Sequence, residues 1–154
     1  MRRLCGVLLA CAMFLLPAFS HGHGDLFAQN APSKTTFTGD VVVMAYAINP
    51  DKTADYEKVL QTLKDTLSKS EAPEAKQQLA GWKVMKMSKP MPDGNIIYTH
   101  VITPVAGADY NILQVLYATF KDPAEQKELY DMYRGAFAAN LGISSGSIAA
   151  DLSK

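Results

Sequence analysis

The stretch from Gly81 to Val105, GWKVMKMSKPMPDGNIIYTHVITPV, restricts the fold more than any other part of this 154-residue chain. Two apolar-rich runs flank Pro92-Asp93-Gly94, residues that turn a backbone, so the stretch predicts a β-hairpin. It carries the only Trp of the chain and His100, the one His inside the expected folded domain. Alternation puts Trp82, Val84 and Lys86 on one side of the first strand, and Lys83, Met85 and Met87 on the other. On the second strand Ile96, Tyr98, His100 and Ile102 share a face, opposed by Ile97, Thr99 and Val101. The loop between the strands exceeds two residues, so its length does not set the register. The greasier pairing, Met85 and Met87 with Ile97 and Val101, is expected to lie under helices. The face of Trp82, Val84, Lys86, Tyr98, His100 and Ile102 is then left over. It is too apolar to stand in water. It is expected to be covered by a second subunit, by the C-terminal segment, or by a small apolar ligand.

The N-terminus reads as a targeting segment. Arg2 and Arg3 precede the apolar run Leu4 to Leu16, which is shorter than the roughly 20 residues of a membrane span. Pro17 breaks the run, and Ala18-Phe19-Ser20 offers small residues for cleavage after Ser20, with a second site after Ala28. Leu8-Leu9-Ala10-Cys11 resembles a lipoprotein box but sits early, with apolar residues continuing past it. The paired Arg lack the surroundings of a twin-arginine signal. Cys5 and Cys11, the only cysteines, leave with the signal. The mature chain then has no disulfide, Cys nucleophile or Cys-ligated metal. Fifteen basic residues become thirteen against fifteen acidic, a net charge of −2. No basic stripe marks a nucleic-acid partner, and no later apolar run is long enough for a stable membrane span. The expected organisation is a signal peptide at 1–20, a flexible leader at 21–37 rich in small and polar residues, and one domain at 38–154. The expected location is secreted or periplasmic.

Within that domain Asp40 to Ile48 is short, β-branched and continuously apolar, which predicts a strand buried on both faces. From Thr53 to Ser68, Tyr56, Val59, Leu60, Leu63 and Leu67 form one stripe at the helical period, and Asp51 or Thr53 can cap the start. The opposite face, with Glu57, Lys58, Gln61, Lys64 and Asp65, is expected in solvent. Pro73 can open a short helix that Gly81 ends. Beyond the hairpin, Asp109 can cap a segment from Tyr110 to Phe120 whose spacing suits a helix, although the same residues suit a strand. Asp122-Pro123-Ala124-Glu125 is a strong helix start, and that helix is expected to reach about Ala139. Ile143 to Leu152 leaves room for one short edge strand.

Strand, helix, hairpin, helix and edge strand give an α+β fold of the split βαβ kind, one antiparallel sheet with its helices on one face. This order resembles the ferredoxin-like fold and, more narrowly, the dimeric α+β barrel superfamily. The resemblance implies a homodimer in which two sheets pair through their open faces. The superfamily also includes cofactor-free monooxygenases and haem-degrading enzymes. Haem-degrading members place a His on the second helix, with an Asn and a Trp on the sheet. Here neither later helix has a His and the first strand has no Asn, so only Trp82 has a counterpart and no haem or other cofactor is expected.

Three functional readings follow. The first is a non-catalytic, homodimeric module holding a small apolar ligand in a layer lined by Trp82, Tyr98, His100 and Tyr46. The second is a cofactor-free oxygenase-like or isomerase-like enzyme with His100 as its acid–base group, since imidazole titrates near neutral pH. A His hydrogen-bonded across the sheet is the plainer account of the same residue, as core packing is of Trp82. The third is copper or nickel binding at His21-Gly22-His23, where a free amine, backbone nitrogens and an imidazole make a square-planar set. It requires cleavage after Ser20. Phosphate loops, HExxH, G-x-S-x-G and CxxC patterns do not occur.

Overall fold

A computed structural model describes residues 34–152. The signal segment at 1–20 and the paired His21 and His23 lie outside the described residues.

The chain runs β1 (Val41–Ile48), α1 (Thr53–Lys69), α2 (Ala75–Gly81), β2 (Trp82–Lys86), β3 (Ile96–Ile102), α3 (Ile112–Thr119), α4 (Pro123–Ala136) and β4 (Phe137–Gly146). The four strands form one sheet in the order β2-β3-β1-β4, and each neighbouring pair is antiparallel. This is the expected split βαβ, ferredoxin-like arrangement.

α1 forms on its apolar stripe. Tyr56, Val59, Leu63 and Leu67 are buried. Val59, Leu63 and Leu67 meet Ile112 and Leu116 of α3 and Leu129 of α4 in one cluster, and Tyr56 packs with Ile48, Tyr98 and Ala136 in another. Neither Asp51 nor Thr53 caps it. The turn Pro50–Lys52 leads in, and no side chain caps the helix start. The segment with two readings is a helix, α3, capped by Asn111, whose side chain accepts from the Gln114 amide. Asp109 instead accepts from the amides of Thr35 and Asn111. Asp122 caps α4 as expected, accepting from the Ala124 amide, with Pro123 in the first turn.

α4 stops at Ala136 rather than Ala139. The Ala136 carbonyl, which would accept from residue 140, is taken by the Asn49 amide at 2.9 Å and by the Asn49 side chain at 3.3 Å. Phe137 is extended, and the chain continues as the ten-residue strand β4, which pairs with β1. Sheet pairing overrides helical propensity there. Residues 34–37, within the segment read as leader, make specific contacts. The Thr35 carbonyl accepts from the Tyr110 amide at 2.8 Å, and Phe37 packs on Tyr110 with ring centroids 5.3 Å apart.

The two faces of the hairpin are grouped as the alternation predicts, since Trp82, Val84 and Lys86 lie opposite Ile102, His100 and Tyr98. Their placement is reversed. The face of Tyr98, His100 and Ile102 lies under the helices and is buried. The face of Met85, Ile97, Thr99 and Val101 is open. Over its first half β1 is accordingly covered on one side: Val42 and Met44 are buried, whereas Val43 is 38% exposed, and only at its end are neighbouring Ala47 and Ile48 both buried. Hydropathy misleads because the polar tips on the inner face are satisfied internally. Tyr98 Oη donates to Glu57 at 2.5 Å, and both ring nitrogens of His100 have partners. A buried polar group with its hydrogen bond made is little penalised.

Candidate functional site

The start of β2 is set by the α2–β2 junction. The Thr103 amide donates to the Gly81 carbonyl at 2.9 Å. A Cβ on Gly81 would lie 2.9 Å from the Thr103 oxygen, so only glycine lets the strands meet there. Trp82 follows at once. Its ring packs 5.3 Å from Tyr110 and 5.9 Å from His100, and its indole Nε1–H donates to His100 Nδ1 at 2.9 Å.

Indole nitrogen only donates, so Nδ1 of His100 accepts, and the neutral ring carries its proton on Nε2. That N–H donates to Tyr56 Oη at 2.7 Å. His100 thus joins β2 to α1 from the middle of β3. It is fully buried, and burial pushes its pKa down to about 4. A charged imidazolium here would lose solvation and set two donors against each other at Nδ1. At neutral pH the ring is uncharged and its one lone pair is engaged, the arrangement of a histidine that holds neighbours in place.

Around it lies an aromatic cluster. Tyr46 meets His100 edge-on at 5.5 Å and Phe137 at 4.9 Å. Tyr56 meets Tyr98 at 5.0 Å and stacks near Tyr133 at 6.2 Å. Burial raises the pKa values of Tyr46, Tyr56, Tyr98 and Tyr133, so all four stay neutral. The structure therefore brings together Trp82, Tyr98, His100 and Tyr46, but as a packed cluster. The layer expected between subunits is filled by α1 and α4.

Beside that cluster is a groove of about 400 Å³ between α1 and β2, with Leu79 of α2 also in its lining. Leu60, Leu63, Leu67, Leu79, Trp82 and Val84 form its apolar walls, with Glu57, Gln61 and Lys64 along the rim. It exists because β2 is an edge strand that α1 does not fully cover, leaving Val84 37% exposed. Its size and apolar lining with a few polar groups fit small-molecule sites, which span roughly 300–1,000 Å³. Of the expected ligand contacts only Trp82 lines it. Tyr98 reaches the rim through Glu57, and Lys86 also donates to Glu57, at 2.8 Å. The Lys86 and Tyr98 hydrogen bonds hold the Glu57 carboxyl below its ordinary range.

The rim residues escaped the sequence reading because Glu57, Gln61 and Lys64 occupy the polar side of α1. Their spacing of four and three residues does place them beside Leu60 and Leu63, a signal visible once β2 is known to lie alongside. Tyr56 was legible only as one member of the apolar stripe. Among the described residues no group of three or more His, Cys, Asp or Glu is placed to hold a metal, and no helix is long and apolar enough to cross a membrane.

The fold defines the class: a mixed α+β domain with a four-stranded antiparallel sheet and helices on one face. No family model matches the chain, and no curated protein matches it in sequence. Among solved structures, a mutant of SnoaB, described as a cofactor-independent oxygenase from Streptomyces nogalater, aligns with a TM-score of 0.36 and 12% identity. The alignment covers 74% of this chain and 96% of that one. A likeness at that level carries nothing about function.

Proposed function

We propose that this chain is an exported binding module that holds a small, largely apolar molecule in the groove between α1 and β2. The observation that carries the reading is the groove itself. Six apolar side chains from three elements surround a space of small-molecule size, and polar groups stand only at its rim. Trp82 supplies a broad rigid wall, and aromatic walls contribute more contact area than any other side chain. The ligand's apolar body lies against Trp82, Leu60 and Leu63, with any polar end toward Glu57, Gln61 and Lys64.

The same reading includes a homodimer. What supports it is the uncovered sheet face, where Val43 and Met85 are 38% and 50% exposed beside Ile97, Thr99 and Val101. Apolar sheet faces of this kind are usually covered in solution.

The test uses 1-anilinonaphthalene-8-sulfonate as an apolar probe. Wild-type protein should bind one equivalent, raise the probe's emission and quench Trp82. Val84→Arg, which lays a long side chain across the groove, should abolish both effects while leaving the circular dichroism unchanged. Binding undiminished in a folded Val84→Arg variant sinks the proposal.

A further inference from the structure

The groove's widest wall is not held by the groove. Trp82 stands at the edge of the sheet, and its one polar anchor is Nδ1 of His100, 2.9 Å away and out of contact with solvent. His100 is in turn fixed by Tyr56 of α1 at 2.7 Å. The two bonds leave opposite nitrogens of one ring and end on two different elements. Any rotation of the ring breaks at least one of them. We infer that His100 is the positioning residue of the groove: it sets the plane of Trp82 and lets the indole go when it takes up a proton. The inference rests on the groove being the ligand site.

The surroundings of His100 explain why protonation would act as a release. Facing it are Tyr56 from α1, Tyr46 from β1, Tyr98 in its own strand, and Tyr133 of α4 behind Tyr56. Met44 and Val84 lie opposite it on the neighbouring strands. None is charged at neutral pH. The charged pair on this side of the sheet is already engaged: Glu57 accepts from Lys86 and from the tip of Tyr98. An imidazolium at this position therefore meets no counter-charge. Its new Nδ1–H points at the indole N–H, so the Trp82 bond is the one that must open. The Nε2–H bond to Tyr56 survives protonation. The consequence is directional: β2 loosens from α1 while α1 stays joined to β3.

Trp82 is the only tryptophan, so its emission reports this contact without labelling. In the full chain at pH 7, His100→Leu removes the acceptor. It should red-shift the emission, open Trp82 to acrylamide quenching, and weaken 1-anilinonaphthalene-8-sulfonate binding about tenfold, the equivalent of one lost hydrogen bond. His100→Gln keeps an acceptor and a donor and should restore emission, with affinity within about threefold of wild type. A folded His100→Leu protein with wild-type emission, quenching and affinity overturns the inference. Should His100→Leu not fold, the pH profile of Trp82 emission decides. Wild type should red-shift reversibly between pH 7 and pH 4 and His100→Gln should not; coincident profiles overturn it. The two readings fail separately. Wild type that ignores the probe at pH 7 removes the groove as the ligand site, whereas Trp82 emission indifferent to His100 removes the positioning role whatever the probe does.

Discussion

Between pH 7 and pH 4 the protein should lose about 3 kcal/mol of stability through His100 alone. In the unfolded chain the imidazole titrates at its ordinary value near 6.5; in the fold, burial depresses this to about 4. Below pH 6.5 the unfolded state therefore binds a proton that the native state refuses. The contribution is fully present above the unfolded value and drains away as pH falls toward the folded one. The difference in the two binding polynomials gives about 2 kcal/mol lost by pH 5. The assay is urea unfolding of wild type and His100→Gln at half-unit intervals from pH 7.5 to 4. Gln cannot titrate but spans the same two partners. Carboxylates such as Glu57, whose pKa is lowered by Lys86 and Tyr98, add acid sensitivity of the same sign, but equally to both proteins. The wild-type advantage over His100→Gln should shrink steeply below pH 6.5. Curves that stay parallel across the range would refute the buried neutral imidazole and the tautomer argument with it.

Tyr56→Phe strands the buried Nε2–H of His100 and should cost about 1–3 kcal/mol in urea unfolding at pH 7, the usual penalty for an orphaned buried donor; a loss well under that range would contradict the 2.7 Å bond. Gly81→Ala drives a Cβ to 2.9 Å from the Thr103 oxygen and 3.2 Å from its Cβ, so thermal unfolding should show a loss of about 1–3 kcal/mol from overpacking. Met85→Lys on the open sheet face should turn a dimer into a monomer in sedimentation equilibrium; a wild-type monomer at micromolar concentration would remove the dimer from the account.

Much of this fold is readable from periodicity. α1 is written in the stripe Tyr56, Val59, Leu63 and Leu67, α4 starts where Asp122 and Pro123 say it should, and the hairpin strands fall where the turn residues leave room. What could not be read is which hairpin face the helices cover. Ranking by hydropathy favours Met85, Ile97 and Val101. The chain instead buries Tyr98 and His100, because Glu57, Tyr56 and Trp82 meet their polar atoms, and those partners lie 41, 44 and 18 residues away. A polar atom satisfied at long range leaves no trace in the local pattern. The end of α4 is hidden for the same reason: Asn49 captures the Ala136 carbonyl from across 87 residues. The candidate site was half visible. Trp82 was a plausible wall from the outset, but the rim of Glu57, Gln61 and Lys64 looks like any solvated helix face until β2 is laid beside it.

The central claim is that the groove between α1 and β2, not the open face of the sheet, receives a small apolar molecule. The most direct measurement is a two-dimensional NMR titration with 1-anilinonaphthalene-8-sulfonate, following methyl resonances together with the single indole Nε1–H signal of Trp82. The account predicts saturable shifts in that indole signal and in the methyls of Leu60, Leu63, Leu79 and Val84. Shifts confined to Val43, Met85 and Val101 would contradict it.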